Sequence, residues 1–134
     1  MLKLEIVTPE RRVVETEAES VTVPTASGEA GILPNHAPLV SALRPGVLSY
    51  TLRGTTEKFA IAGGFVEVNH DKVSVLAGSA EAADEVDTAK ARIDREAAEK
   101  ALTAASAQPV EETEALRDQL DAANARLQLS AGGR

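Results

Sequence analysis

The first eighty residues alternate. Leu2, Leu4 and Ile6 are separated by Lys3 and Glu5, and Thr8-Pro9-Glu10 then turns the chain. Val21 and Val23 alternate with Ser20 and Thr22 ahead of Pro24. Leu39 to Leu43 runs into Arg44-Pro45-Gly46, an expected turn, after which Leu48, Tyr50 and Leu52 share a face. Arg53-Gly54 turns into Phe59-Ala60-Ile61, Gly63-Gly64 interrupts, and Phe65 to Val68 resumes the pattern. Asn69-His70-Asp71 forms a tight turn into Val73-Ser74-Val75. A period of two over short segments punctuated by turn residues predicts antiparallel strands with one buried face, packed as a β-sandwich or barrel. The three-and-four spacing of an amphipathic helix is missing from this part.

The grammar then changes. From Ser79 to Ala131 there is no Gly and one Pro, with Ala recurring throughout; Gly and Pro punctuate strands, whereas Ala is the best helix former. Asp84-Glu85-Val86-Asp87 offers capping and acidic residues suited to the positive end of a helix dipole. Ala89, Ile93, Ala97, Ala101 and Ala104 form the expected apolar stripe of a first helix. Pro109 fits the first turn of a second, followed by Glu111 and Glu112 and a stripe of Leu116, Leu120, Ala123 and Leu127. Gly132-Gly133 reads as a frayed end. The pattern predicts a β-sandwich over residues 1–84 and an αα-hairpin over 85–134. Ala buries far less surface than Leu, so the hairpin is marginal alone and needs the sandwich or another protein against it.

Charge does not separate the two parts. Residues 1–84 carry 7 basic and 11 acidic groups, residues 85–134 carry 7 and 10, and the chain's net charge is −7. That balance argues against a nucleic-acid partner, whose phosphates need clustered Lys and Arg, and three aromatic residues make no stacking platform. Without Cys there is no disulfide scaffold, thiolate zinc site or thiol catalysis. No apolar run is long enough to predict a membrane-spanning segment, so the composition points to a soluble protein of a reducing compartment.

The chain offers little for catalysis. There is no phosphate-binding loop of the Gly-x-x-x-x-Gly-Lys-Ser/Thr form and no Gly-x-Ser-x-Gly elbow. His70 sits in a turn beside Asp71 and reads as a solvated turn residue. His36 lies in Gly31-Ile32-Leu33-Pro34-Asn35-His36-Ala37-Pro38, a loop held by two prolines, and reads as a structural hydrogen-bonding residue rather than a base. Two His and no Cys predict no metal site. Glu15, Glu17 and Glu19 alternate along one strand face, the usual dress of a solvated edge strand. No nucleophile, base and orienting group come together, so the expected class is a binding or structural module and not an enzyme.

Gly28-Glu29-Ala30-Gly31-Ile32-Leu33-Pro34-Asn35-His36-Ala37-Pro38-Leu39 resembles the epsilon subunit of F-type ATP synthases, called delta in mitochondria. Thr8-Pro9, Arg44-Pro45-Gly46, Gly63-Gly64-Phe65 and Val73-Ser74-Val75-Leu76 follow in the same order, while the helical part matches in pattern only. The resemblance implies a ten-stranded β-sandwich joined to an αα-hairpin in the central stalk of the proton-translocating rotor. It implies docking to the gamma subunit and to the ring of c subunits, beside the membrane on its cytoplasmic face. In bacterial relatives the hairpin extends along gamma toward the catalytic alpha and beta subunits and inhibits ATP hydrolysis.

Site residues follow from the same resemblance. The family's acidic contact to the c ring falls on Glu29, between Gly28 and Gly31, with Pro34, His36 and Pro38 shaping the neighbouring loop. Some relatives bind ATP as a regulatory ligand through Ile/Leu-Asp-x-x-Arg-Ala. Here that stretch is Val86-Asp87-Thr88-Ala89-Lys90-Ala91, with Arg117 and Arg126 as basic partners in the second helix. Lys90 departs from the motif, offering a point charge where Arg offers a planar fork.

Two other readings differ in class. One is a free-standing β-sandwich that binds a small ligand and dimerises through its hairpin. The other is a hydrolase using His36.

Overall fold

The computed structural model describes residues 1–132. Eight strands form first: β1 (Leu2–Val7), β2 (Arg12–Ala18), β3 (Ser20–Thr25), β4 (Gly28–Ile32), β5 (Leu39–Leu52), β6 (Thr55–Asn69), β7 (Lys72–Ala77) and β8 (Ala80–Glu81). Their lateral order is β2-β1-β7-β6-β5-β3-β4, with β8 added to β6. All neighbours are antiparallel except β1 and β7, which run parallel.

The strand count differs from the ten that the resemblance implies because two pairs are fused. Arg44-Pro45-Gly46 does not turn the chain, and Gly63-Gly64 does not interrupt it. β5 and β6 run through these points in one unbroken register, from Leu39 opposite Val68 to Leu52 opposite Thr55. Inward-facing positions nevertheless change parity along this ribbon, from Leu43 to Leu48 on β5 and from Ile61 to Val66 on β6. The ribbon therefore rotates and presents its other face to the core as it passes between layers. Gly63 and Gly64 supply the needed backbone, at φ of 94° and 133°. A Cβ on Gly64 would lie 1.9 Å from the Leu76 carbonyl oxygen, so β7 leaves no room for a side chain there.

One core fills the sandwich. Leu2, Leu4 and Ile6 of β1 meet Val66, Val68, Val73 and Val75, while Val21, Val23, Ile32, Leu48 and Ile61 close it from the other side. All twelve are essentially inaccessible to water. Burial of this kind, at about 1.5–3 kcal/mol per side chain before entropy is counted, is what selects the register.

Two helices follow: α1 (Thr88–Ala104) and α2 (Glu114–Gly132), joined through Pro109 and a single 3-10 turn over Val110–Thr113. The Asp87 carboxylate caps α1, accepting from the Lys90 amide at 3.0 Å. Gly132 is the last helical residue, and Gly133 lies outside the described residues. α1 packs mainly on α2, and α2 lies across β5 and β6.

The buried face of α1 is not the expected one. Ala91, Ala98 and Ala105 are buried, seven apart, with Asp94, Arg95, Ala101 and Leu102 half-buried between them. Ile93 is 65% exposed, and Ala89, Ala97 and Ala104 also face water. An alanine-rich helix has more than one apolar stripe, and the one turned inward here is bordered by Asp94, 3.5 Å from Arg126 of α2. On α2, Ala123 is buried as expected, but Ala125 and Leu129 are the residues sealed against the sandwich.

Candidate functional site

The outward face of the sheet carries an ordered set of side chains. Strand pairing aligns Val7, Leu76, Phe65 and Ala42 in one row across β1, β7, β6 and β5. Phe65 and Leu76 are each 59% exposed, and Ala42 faces water. Four strands spaced by about 4.8 Å make this an apolar band of roughly 14 Å. The next row reads Glu15, Glu5, Ser74, Glu67 and Val40, and the one beyond it Glu17, Lys3, Lys72 and Asn69. An apolar band, an acidic one and one of mixed charge thus lie side by side on one pleated surface. Arg12 ties the first two together, its Nε 3.0 Å from Glu5 and its Nη1 3.6 Å from Glu15.

The sequence reading missed this band. The alternating pattern covers Phe65 and runs up to Val75, and alternation alone does not say that both faces carry apolar side chains. The signal was present in the consecutive apolar pairs Phe65-Val66 and Val75-Leu76, where an outward apolar residue must sit beside an inward one.

Glu29 is exposed, but it stands in a strand and not in a loop. Gly28–Ile32 forms β4, paired with β3 so that Glu29 lies opposite Pro24. The tip of this hairpin is Ala26-Ser27, and Thr25 Oγ1 closes it by donating to the Gly28 carbonyl at 2.6 Å. Gly28 takes a φ of 124°, which a side chain would disfavour, whereas a Cβ on Gly31 would meet open space. Glu29 also borders a shallow groove shared with Pro24, Arg44, Asp121 and Gln128. Arg44 bridges that groove, its Nη2 2.9 Å from Asp121 Oδ2 of α2.

The loop that follows is pinned from beneath. The Asn35 amide donates to Asp71 Oδ1 at 2.7 Å, with Asn35 at a φ of 68°, so the loop carrying His36 is tied to the β6–β7 turn. The His36 amide donates to the Leu33 carbonyl at 3.1 Å, and His36 Nδ1 donates to the Ala37 carbonyl at 2.6 Å. Both interactions shape backbone. Pro34 and Pro38 flank this arrangement at half-buried and exposed positions respectively. His70 lies exposed in the turn at a φ of 51°.

The residues assigned to a nucleotide divide into two places. Asp87, Lys90, Ala91 and Arg126 belong to the seat of the hairpin. Arg126 Nε lies 2.9 Å from Glu81 Oε1, and its Nη1 3.5 Å from Asp94 Oδ2. Lys90 Nζ holds the same Asp94 at 3.1 and 3.3 Å. Arg117 stands at the other end, where its Nη1 donates to the Val110 carbonyl at 3.0 Å. Nine helical residues separate it from Arg126, about 13 Å along the axis. Ala91 is fully buried.

Elsewhere the chemistry is sparse. Among the described residues no group of three or more His, Cys, Asp or Glu could hold a metal ion. Tyr50 stacks on Phe59 with ring centroids 6.4 Å apart. Its hydroxyl is held above its usual pKa of 10.0 by burial first and by its cross-strand neighbour Glu57 second. No helix is long and apolar enough to cross a membrane among the described residues.

Residues 1–83 match the family model for the ATP synthase delta/epsilon chain, beta-sandwich domain. The ATP synthase epsilon chain of Desulfitobacterium hafniense (strain Y51) is 51% identical over 100 residues, covering 75% of this chain and 76% of that one. The epsilon chain of Carboxydothermus hydrogenoformans is 50% identical over 91 residues, 68% of each chain. Among solved structures, a chain of the Euglena gracilis mitochondrial ATP synthase, in an OSCP/F1/c-ring assembly, superposes with a TM-score of 0.72 at 28% identity. That match covers 99% of this chain and 81% of the other. A chain of the Tetrahymena thermophila mitochondrial ATP synthase central stalk and c-ring gives 0.56 at 17% identity over 64% and 69%, a likeness of fold.

Proposed function

The chain belongs to the ATP synthase delta/epsilon family, and on that premise we propose how its surfaces serve the central stalk. It is a rotor subunit and makes or breaks no bond itself; its work is to hold other subunits in register while they turn. The β-sandwich of residues 1–84 is the docking body. Its partner on the outward sheet face is the gamma subunit, and the Val7-Leu76-Phe65-Ala42 band is the observation that carries this assignment. An exposed aromatic flanked by Leu, Val and Ala, rimmed by charges of both signs, has the anatomy of a protein interface. Glu29, Gly28 and Gly31 on β4 approach the c ring, where the carboxylate complements basic loop residues. Pro34, His36 and Pro38 stiffen the loop beside it.

Residues 85–134 form the regulatory part, whose described residues pack on the sandwich in this structure. Extended toward the alpha and beta subunits, the hairpin would oppose ATP hydrolysis. Joined to a membrane-associated assembly, this body would sit at the cytoplasmic face of the energy-transducing membrane. Coexpression with gamma tests the reading. The expected result is a stable complex, whereas a self-associating chain that ignores gamma would favour the free-standing sandwich.

A further inference from the structure

Among the described residues, the apolar cluster that seats the hairpin is small: Ala125 and Leu129 of α2 on Ala60, with Val47, Ala83 and Val86 around them. A few methyl groups exclude little water, so the charged pairs at the rim carry an unusual share of the seating. Arg126 is central to them. Its side chain is 19% exposed, against 30% for Glu81 and 38% for Asp94, and it joins α2 to both the end of the sheet and α1.

The same pairs occupy the groups that would receive a nucleotide. A triphosphate needs unengaged cations, and Lys90 and Arg126 already face carboxylates at 2.9 to 3.5 Å, Arg126 Nε by charge alone and without a hydrogen bond. Lys90 and Arg126 pair with Asp94 and Glu81, and Asp87 caps the helix that carries Lys90. The amide that an anion would seek at the start of α1, that of Lys90, already donates to Asp87. No aromatic residue occurs between residues 85 and 134 to stack on a base. Arg117, at the far end of α2, cannot contribute.

We propose that in this chain the Glu81-Arg126-Asp94-Lys90 network takes the place of a bound nucleotide. The hairpin is held by its own charges, does not take ATP, and is seated more weakly as ionic strength rises. This rests on the reading of the hairpin as a regulatory element. Its measurements use the chain alone, so failure to bind gamma would sink that reading and leave this one standing.

The experiment pairs calorimetry with hydrogen exchange on the full chain. Titration with MgATP should give no saturable heat. Amide protection in α2 should drop by roughly fivefold between about 0.05 M and about 0.5 M KCl, as screening shortens from beyond the pair distances toward them. Arg126→Gln should lower protection at low salt and remove most of the salt dependence, with helix content by circular dichroism showing that α2 persists. Saturable MgATP binding, whether or not Arg126→Gln removes it, overturns the proposal. So does protection in the natural chain that salt does not change.

Discussion

Arg44 of β5 grips Asp121 of α2 at 2.9 Å, joining the hairpin to the sandwich at the point where β5 crosses from one layer to the other. The contact lies beside Pro45 and opposite the β3–β4 hairpin that carries Glu29, so one ion pair borders both the hairpin seat and the edge that carries Glu29.

Removing that pair should loosen the hairpin without unfolding the chain. Arg44 is 55% exposed and Asp121 32%, so the pair contributes no more than about 1 kcal/mol. Arg44→Ala should leave the thermal midpoint almost unchanged and raise amide exchange in α2. An Arg44→Ala, Asp121→Ala cycle should show coupling of a few tenths of a kcal/mol or more. Additive effects would mean that the two side chains do not communicate.

Phe65→Glu should separate folding from assembly. The ring already faces water, so the stability change should stay within about 0.5 kcal/mol by urea denaturation. Affinity for gamma should fall by at least about tenfold, because charge would enter the middle of an apolar band. Glu67→Gln in the neighbouring row should change the salt dependence of association more than the affinity.

Gly64→Ala should be among the most damaging single substitutions, at roughly 3 kcal/mol or more, since the new Cβ would overlap the backbone of β7. Gly31→Ala, into open space, is the matched control and should shift the denaturation midpoint little. Equal effects at the two sites would contradict the packing described.

The single tyrosine gives a pH readout. Its folded pKa lies above 10.0, so the protonated hydroxyl is favoured in the folded chain. Below that pH the group is neutral in both states and does not alter stability. As pH climbs from 10.0 through the folded value, the unfolded chain releases the proton first and stability declines. Phenolate absorbance should therefore titrate above 10.0 in the native protein. Glu57→Gln should lower the midpoint only in part, because burial is the larger cause.

Deleting residues 85–134 should leave a folded sandwich that still binds gamma. The core lies wholly within residues 2–80, and the hairpin meets the sandwich through the small contact around Ala60 and the Arg44–Asp121 and Arg126–Glu81 pairs. Loss of the cooperative unfolding transition in the truncated chain would show that the hairpin is part of the sandwich's own stability.

The strands were legible because each buries one face, and a period of two survives whatever the rest of the fold does. The two fused strands were not, since Arg44-Pro45-Gly46 and Gly63-Gly64 are written in turn residues. Here those residues rotate a ribbon instead of reversing it, which needs the same backbone freedom. Glu29 could be named before its setting was known, yet its place in β4 depends on pairing with β3, a contact no local pattern announces. The face of α1 was misread for a different reason. Alanine occupies several stripes at once, and the choice between them depends on packing against α2, a partner more than ten residues away that no local pattern carries. Phe65 and Leu76 escaped notice because core-forming strands hide an outward apolar residue among inward ones.

The unbroken β5–β6 ribbon has a mechanical meaning. In a sandwich of two separate sheets, a sideways force on one layer is resisted only by side chains that can slide over one another. Here the same pair of strands runs through both layers in one register, missing only the Arg44–Gly63 pair. Shear between the layers would have to tear peptide hydrogen bonds in series, and torque applied at one face reaches the other through backbone, as through a twisted lath.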